Sequence, residues 1–440
     1  MSRISRTIPF VLMIILAVIA AFVPIVPDFD GSNVYNYADI SWMLISSALV
    51  LLMTPGLAFF YGGMVSKKNV ISTLLQSFIA TGLISVLWVV FGFSLAFGDS
   101  LGGIIGNPST FFMMKGLNGH ATLAAAPTIP ILLFALFQLK FAIITPALLV
   151  GATAERIKFT SYMFFMILFS IFIYGPLAHW TWHPNGFLYK LGVLDFAGGT
   201  VVHISAGCAA LAGAIVLKRR KVHKEREEVK PARIPYVLLG TGLLWFGWFG
   251  LNAGSALGAN SIAVGAFATT NTASAAAGVT WLLFDMLRGR KASALGFAIG
   301  AVVGLVAITP AAGYVGISQS IAIGVAGAVC SNIVLYWKNV RTSIDDTLDV
   351  FPCHGIGGIV GMILTGVFAS KKINPAGADG LLYGGTHFFL KQLLGCGVAV
   401  VFSFTVGLLL FKVIDLFFKL RVSEEEEVFG LDITQHDESL

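Results

Sequence analysis

Charge is the scarcest property of this chain: only 11% of its 440 residues are Asp, Glu, Lys or Arg. Soluble domains carry about 25%, so a water-facing globular surface is excluded, and a soluble catalytic module with it. Cysteine is equally thin. The four thiols Cys208, Cys330, Cys353 and Cys396 all sit in apolar stretches, which argues against a disulfide framework and for buried free thiols. No HExxH pattern or close Cys/His ligand set occurs, so a metal centre is not expected. The net charge of +6 resides mostly in short loops and indicates no nucleic-acid partner.

Long apolar runs fill the remainder. Hydrophobic residues make up 57% of the chain and mean hydropathy is +0.86. Many runs reach the roughly 18 residues needed to cross a bilayer as helix. The 49 glycines suit close helix approach in lipid. The expected fold is all-α and polytopic. Residues 1–26 combine Arg3 and Arg6, an apolar run and small residues, as a signal peptide does, or else form an extra N-terminal helix. Eleven spans are expected after it: Ser41–Gly63, Ile71–Phe97, Ile129–Ala152, Ser161–Trp182, Asp195–Leu217, Ile234–Leu257, Ile262–Leu287, Ala292–Gly313, Ile317–Trp337, Val350–Ala369 and His387–Leu420.

Basic residues fall on alternate loops: Lys67/Lys68, Arg156/Lys158, the 218–233 loop, Arg288 to Lys291, Lys338/Arg341 and Lys419/Arg421. The positive-inside rule makes those loops cytoplasmic. The mature N-terminus is then outside and the tail inside, as an odd number of spans requires.

Two stretches stand out chemically. Asp195-Phe-Ala-Gly-Gly-Thr-Val-Val-His203 opens the fifth span and Asp349-Val-Phe-Pro-Cys-His354 the tenth. In each a carboxylate stands at the mouth and a histidine lies inside, ~12 Å deep for His203 and ~7.5 Å for His354. Ionisable side chains at such depth are costly and line pathways. The two spans run in opposite senses, so both imidazoles approach the midplane, and their shared pattern suggests two five-helix halves of inverted topology. Asp195 could equally cap its helix. Phe137 and Phe141, four apart, share a helix face. Trp182 marks a span end, where an interfacial anchor is the plain alternative. Trp245, Trp248 and Ser255 place aromatic faces and a hydroxyl on the sixth span, the ingredients of a small-cation cage.

These motifs, with Pro55 to Gly63, Gly151-Ala-Thr-Ala-Glu-Arg156, Gly247 to Ser255, Thr309-Pro-Ala-Ala-Gly-Tyr314 and His354 to Gly361, closely resemble those of the ammonium transporter (Amt/MEP/Rh) family, in order from about Asp39 to the tail. The resemblance implies a membrane domain over 39–420, a cytoplasmic tail over 421–440, an inverted five-plus-five repeat with a pore in each subunit, and a homotrimer in the cell membrane. It makes His203 and His354 the pore twin-His pair. Asp195, Phe137, Trp182 and Ser255 become the recruitment site for ammonium (methylammonium as analogue), and Phe141 and Leu251 the gate. The tail residues Gly430 to His436 look like a regulatory segment that contacts a neighbouring subunit, and a PII signalling protein is an implied partner at the cytoplasmic mouth. Neither a cofactor nor an enzymatic activity is implied. Two departures are plain: Leu251 stands where the family has a second gate ring, and Lys140 lies between the two phenylalanines. A lysine bordering the pore would repel ammonium, which keeps open the alternative of an ammonium sensor with weak or no conduction, signalling through its tail.

Overall fold

The computed structural model describes residues 3–23, 35–117, 122–227 and 229–440, the side chains of 3–7 excepted. It is helical almost throughout, with one two-stranded ribbon pairing Ser100–Leu101 and Ile105–Gly106. After an exposed first helix, α1 (Arg3–Ala21), helices occupy all eleven expected stretches. They are α2 (Tyr37–Met64), α3 (Lys67–Phe97), α4 (Ile131–Thr153), α5 (Phe159–Leu191), α6 (Gly199–Leu217) and α7 (Ile234–Gly254). Then follow α8 (Ser261–Leu287), α9 (Ala294–Ile308), α10 (Ile317–Arg341), α11 (Phe351–Phe368) and α12 (Thr386–Phe417). The last residues of the expected leader or extra helix, 24–26, lie outside the described residues.

Nine of the eleven are long and apolar enough to cross a membrane on those criteria alone, among the described residues. The two exceptions have local causes. Helix α8 is 27 residues long, but Thr269, Thr270, Asn271, Thr272 and Ser274 dilute its apolar character. Helix α9 has 15 residues, about 22 Å at 1.5 Å each. It opens at Ser293, whose hydroxyl accepts from Gly296 N, and closes at Ile308: Thr309 keeps helical dihedrals but its N–H bonds back only to Val306 O, and Pro310 has no N–H to continue the ladder. Helix α2 starts four residues ahead of the expected boundary because the Asn36 side chain accepts from the backbone N–H of Ala38 and Asp39.

Four spans contain a π-turn: Trp88–Gly92, Ser170–Tyr174, Gly199–Ile204 and Phe351–Ile356. The last two open α6 and α11 and carry the paired histidines. Wider turns of this kind release a backbone group from the regular ladder, and they concentrate at functional sites.

The ends of the bundle that carry the basic loops are tied by a buried ion cluster. The guanidinium of Arg220 donates to both oxygens of Asp345, at 2.9 Å each, and pairs with Glu155. Ser66 N donates to the other Glu155 oxygen at 2.7 Å. Four loops distant in sequence are thereby joined. The tail closes over them: Val422 N donates to Arg156 O, Glu427 accepts from Lys221 N and pairs with Arg421, and of two short helices, α13 (Glu424–Phe429) lies against Lys221–Glu225 and α14 (Leu431–His436) against α3. There Asp432 accepts from Ser72 N and Asn69 accepts from Leu431 N. In the single chain, then, the tail seats on its own subunit.

Burial pushes the carboxyls of Glu155 and Asp345 up, but Arg220 outweighs it and holds both below the usual carboxylate range. Groups depressed on folding contribute stability above their unfolded pKa and lose it as pH falls through the folded value. Arg220→Met, which strands two buried carboxylates, is expected to cost about 3–5 kcal/mol, read as a lower melting midpoint in detergent. The wild-type advantage over that variant should shrink as pH drops below about 4, where unfolded carboxylates take up protons.

Candidate functional site

The site is assembled by two half-buried helix starts. At the first, Asp195 accepts from the backbone N–H of Gly198, Gly199 and Thr200 at 2.6–2.8 Å, and from the Thr200 hydroxyl. At the second, Asp346 accepts from Val350 N at 3.0 Å and Phe351 N at 2.7 Å. Each carboxylate satisfies N–H groups that a helix start leaves free. This corrects the carboxylate assigned to the tenth span: Asp349 does not play the part of Asp195. It sits at φ +58° and pairs with Lys338 at 2.6 Å, while Lys338 also donates to Asp346 O. Counted from the true caps, His203 and His354 each lie eight residues in, so both halves place the imidazole ~12 Å beyond the cap.

Small residues let the two helices cross at the histidines. A Cβ on Gly207 would run into the backbone of Gly355, and one on Gly358 would come within 3.1 Å of His203 Cβ. Gly207 is four residues past His203 and Gly358 four past His354, so each helix offers the same bare turn to the other's histidine. The rings meet: His354 Nδ1 lies 3.3 Å from His203 Nδ1, with centroids 5.4 Å apart and planes 26° from parallel. Both side chains are buried, and His203 Nε2 has no partner. A neutral imidazole has one donor and one acceptor nitrogen. A proton shared between the Nδ1 atoms therefore leaves one Nε2 bare and the other protonated, so the pair can accept a proton at one ring and offer one at the other.

Trp248 covers the far face of His203, 5.3 Å away at 19°, and its indole donates to Thr309 Oγ1 at 2.9 Å. Sequence reasoning placed Trp248 in an outer cage with Trp245 and Ser255; its real neighbour is the histidine, and Trp245 is only half-buried elsewhere on α7. The Thr309-Pro310 turn was the available signal, since a buried indole needs an acceptor.

The aromatic group expected nearer the opposite end does come together. Phe137 and Phe141 meet edge to face at 4.9 Å, and Phe141 meets Trp182 at 5.8 Å and 84°. The Trp182 indole donates to Asp195 O at 3.0 Å, which links this group to the first cap. Gly254 packs so tightly on Phe137 that a Cβ there would stand 2.9 Å from the ring. Ser255 follows Gly254 in sequence, its hydroxyl turned back to Leu251 O at 2.8 Å. Phe137, Phe141 and Leu251 are buried, whereas Trp182 and Ser255 are partly exposed. Trp182 and Ser255 are thus the more open members of the group and the phenylalanines the covered ones.

Lys140 is not part of this arrangement. The ring face of α4 holds Phe137, Phe141 and, two turns further, Leu148, while Lys140 continues the stripe of Leu132 and Leu136, the latter 38% exposed. Among the described residues, no cluster of three or more His, Cys, Asp or Glu could hold a metal ion.

Comparison with known proteins agrees with this geometry. The sequence profile of the Ammonium Transporter Family matches residues 41–440. The chain is 46% identical over 401 residues to the ammonium transporter of Bacillus subtilis, covering 91% of this chain and 97% of that protein. It superposes on the crystal structure of Saccharomyces cerevisiae Mep2 with a TM-score of 0.84 at 35% identity, covering 90% of each chain. A solved structure titled Sensor Amt Protein is 31% identical, with a TM-score of 0.83, covering 91% of this chain and 98% of that one.

Lys140→Met is expected to change methylammonium flux through reconstituted protein by less than about two-fold, the scale of a substitution away from working contacts. A large rise in flux would place the lysine at the pore after all.

Proposed function

Because the chain belongs to the ammonium transporter family, we propose that it takes up ammonium at an outer aromatic rim, removes its proton and passes ammonia through a dry twin-histidine pore. Support comes above all from the 3.3 Å Nδ1–Nδ1 contact of His203 and His354, buried behind an apolar constriction. Trp182 and Phe137, with the Ser255 hydroxyl, offer π faces and an oxygen to a small cation, each face being worth ~0.5–2 kcal/mol as water is removed. Asp195 acts through its caps and the Trp182 indole rather than by touching the cation. Phe141 and Leu251 form the plug.

The economy of this route is electrostatic. A bare cation in hydrocarbon is prohibitively unstable, so shedding a proton before the constriction lets neutral ammonia cross alone. The proton moves separately along the imidazole pair. Potassium has no proton to shed, and the pore supplies no carbonyl ring to replace its water.

The same reading places the protein in the cell membrane, with residues 1–26 as a leader or extra helix, 39–420 as the transporter domain and 421–440 as a cytoplasmic tail. The outside is the face opposite the basic loops. The assembly is a homotrimer with one pore per subunit, and a PII-type protein is the partner suited to the basic mouth. The likeness to a structure titled Sensor Amt Protein supports a second reading, in which ammonium occupancy is reported through the tail with little flux.

His203→Ala and His354→Ala are each expected to cut ammonium-driven current in proteoliposomes by about 10²-fold, the scale of a missing proton-transfer group. Unchanged currents in both would refute the relay. Ammonium binding to wild type without current would favour the sensor.

A further inference from the structure

Two strongly polar side chains are left over from both the pore and the ion cluster. Lys140 lies nine residues beyond Ile131 on α4, and Asn271 ten residues beyond Ser261 on α8. At 1.5 Å per residue these are depths of ~13 Å and ~15 Å, measured from the same face, the one opposite the basic loops. Both therefore sit near the middle of a hydrocarbon layer ~30 Å thick. Lys140 is partly exposed and Asn271 exposed, each in an apolar stripe: Leu132 and Leu136 accompany the first, Val264, Phe267 and Val279 the second. Among the described residues neither has a hydrogen bond or ion pair. Lys391 and Lys412 pose no such problem, because each lies five residues from an end of α12 and can snorkel to water.

At the midplane neither side chain can reach water, and lipid tails offer no partner. Nor do they serve one another within a chain. Helix α4 packs on α2, α3, α5 and α6, and α8 on α7, α9 and α10, so the two share no neighbouring helix. Their chemistry is complementary: an ammonium group has three donors and no acceptor, and a carboxamide oxygen accepts.

We infer that Lys140 of one copy of this chain donates to the Asn271 side-chain oxygen of a second copy, across a contact between the exposed stripes of α4 and α8. The surfaces differ, so the contact is heterologous. Each subunit gives its lysine to one neighbour and its asparagine to the other, an arrangement that the closed rotation of the proposed homotrimer turns into a ring. This rests on the proposed homo-oligomer and identifies the surfaces that build it. It also accounts for a lysine that the conduction path does not use.

Two differently tagged full-length chains, one Lys140→Cys and the other Asn271→Cys, co-expressed and treated in membranes with a short bis-maleimide, test the pairing. Each variant co-expressed with wild type controls for Cys208, Cys330, Cys353 and Cys396. The expected result is a cross-linked species bearing both tags, at least several-fold above the controls. Its absence while the oligomer stays intact on a native gel overturns the pairing and leaves the assembly standing; a chain that is monomeric throughout overturns both. A second measurement needs no cysteine. Asn271→Asp should raise the temperature at which the detergent-solubilised oligomer dissociates, and the gain should vanish in the Lys140→Met background. A gain that persists without the lysine overturns the inference.

Discussion

Asp195 and Asp346 solve a problem that hydrocarbon sets and water does not. Where α6 and α11 open with π-turns, backbone N–H groups are left without the regular ladder, and a membrane interior offers no solvent to satisfy them. Two carboxylates placed inside the protein accept those groups, and the helix starts are held at fixed depth and direction. Everything at the centre follows from that placement. The histidines sit the same distance beyond each cap, the bare turns at Gly207 and Gly358 let the helices cross, and the imidazoles touch. Trp248 then fills the remaining face of His203, anchored by Thr309.

The ion cluster performs the matching task at the other boundary. Arg220 is nearly buried, and its guanidinium engages both carboxylates while the Ser66 N–H satisfies the remaining Glu155 oxygen. The cluster binds the loops after α2, α4 and α6 and the loop before α11. The last of these also contributes Asp346, so the cap beneath His354 and the anchorage of the tail belong to one connected set of contacts. A disturbance of the tail is thus three short links from His354: Glu427 to Lys221, Arg220 to Asp345, Asp346 to the start of α11.

Particular residues show how much could be read beforehand. His203 and His354 were legible because ionisable side chains are rare in apolar runs, and rarity is visible without coordinates. Phe137 and Phe141 were legible as a pair from helical spacing, whereas Trp182 joined them only through the family resemblance. Asp346 was passed over for Asp349 because the nearer carboxylate looks like the better mouth residue. Only the backbone reveals that Asp349 adopts φ +58° and turns to Lys338. Lys140 looked like a pore residue from its place between two phenylalanines. Which flank of α4 is covered and which is open depends on neighbours that spacing does not name.

By itself the amino-acid order determined the number of crossings, their alternating sense, and which ionisable groups must be buried. Those properties follow from hydropathy, length and loop charge, each additive along the chain. The tertiary structure decided the partners: which carboxylate caps which helix, which face of His203 Trp248 covers, and that Lys140 turns away from the rings. Such choices depend on contacts between segments some 60 to 150 residues apart, where a side chain's surroundings are set by the packing of other helices rather than by its own neighbours in sequence.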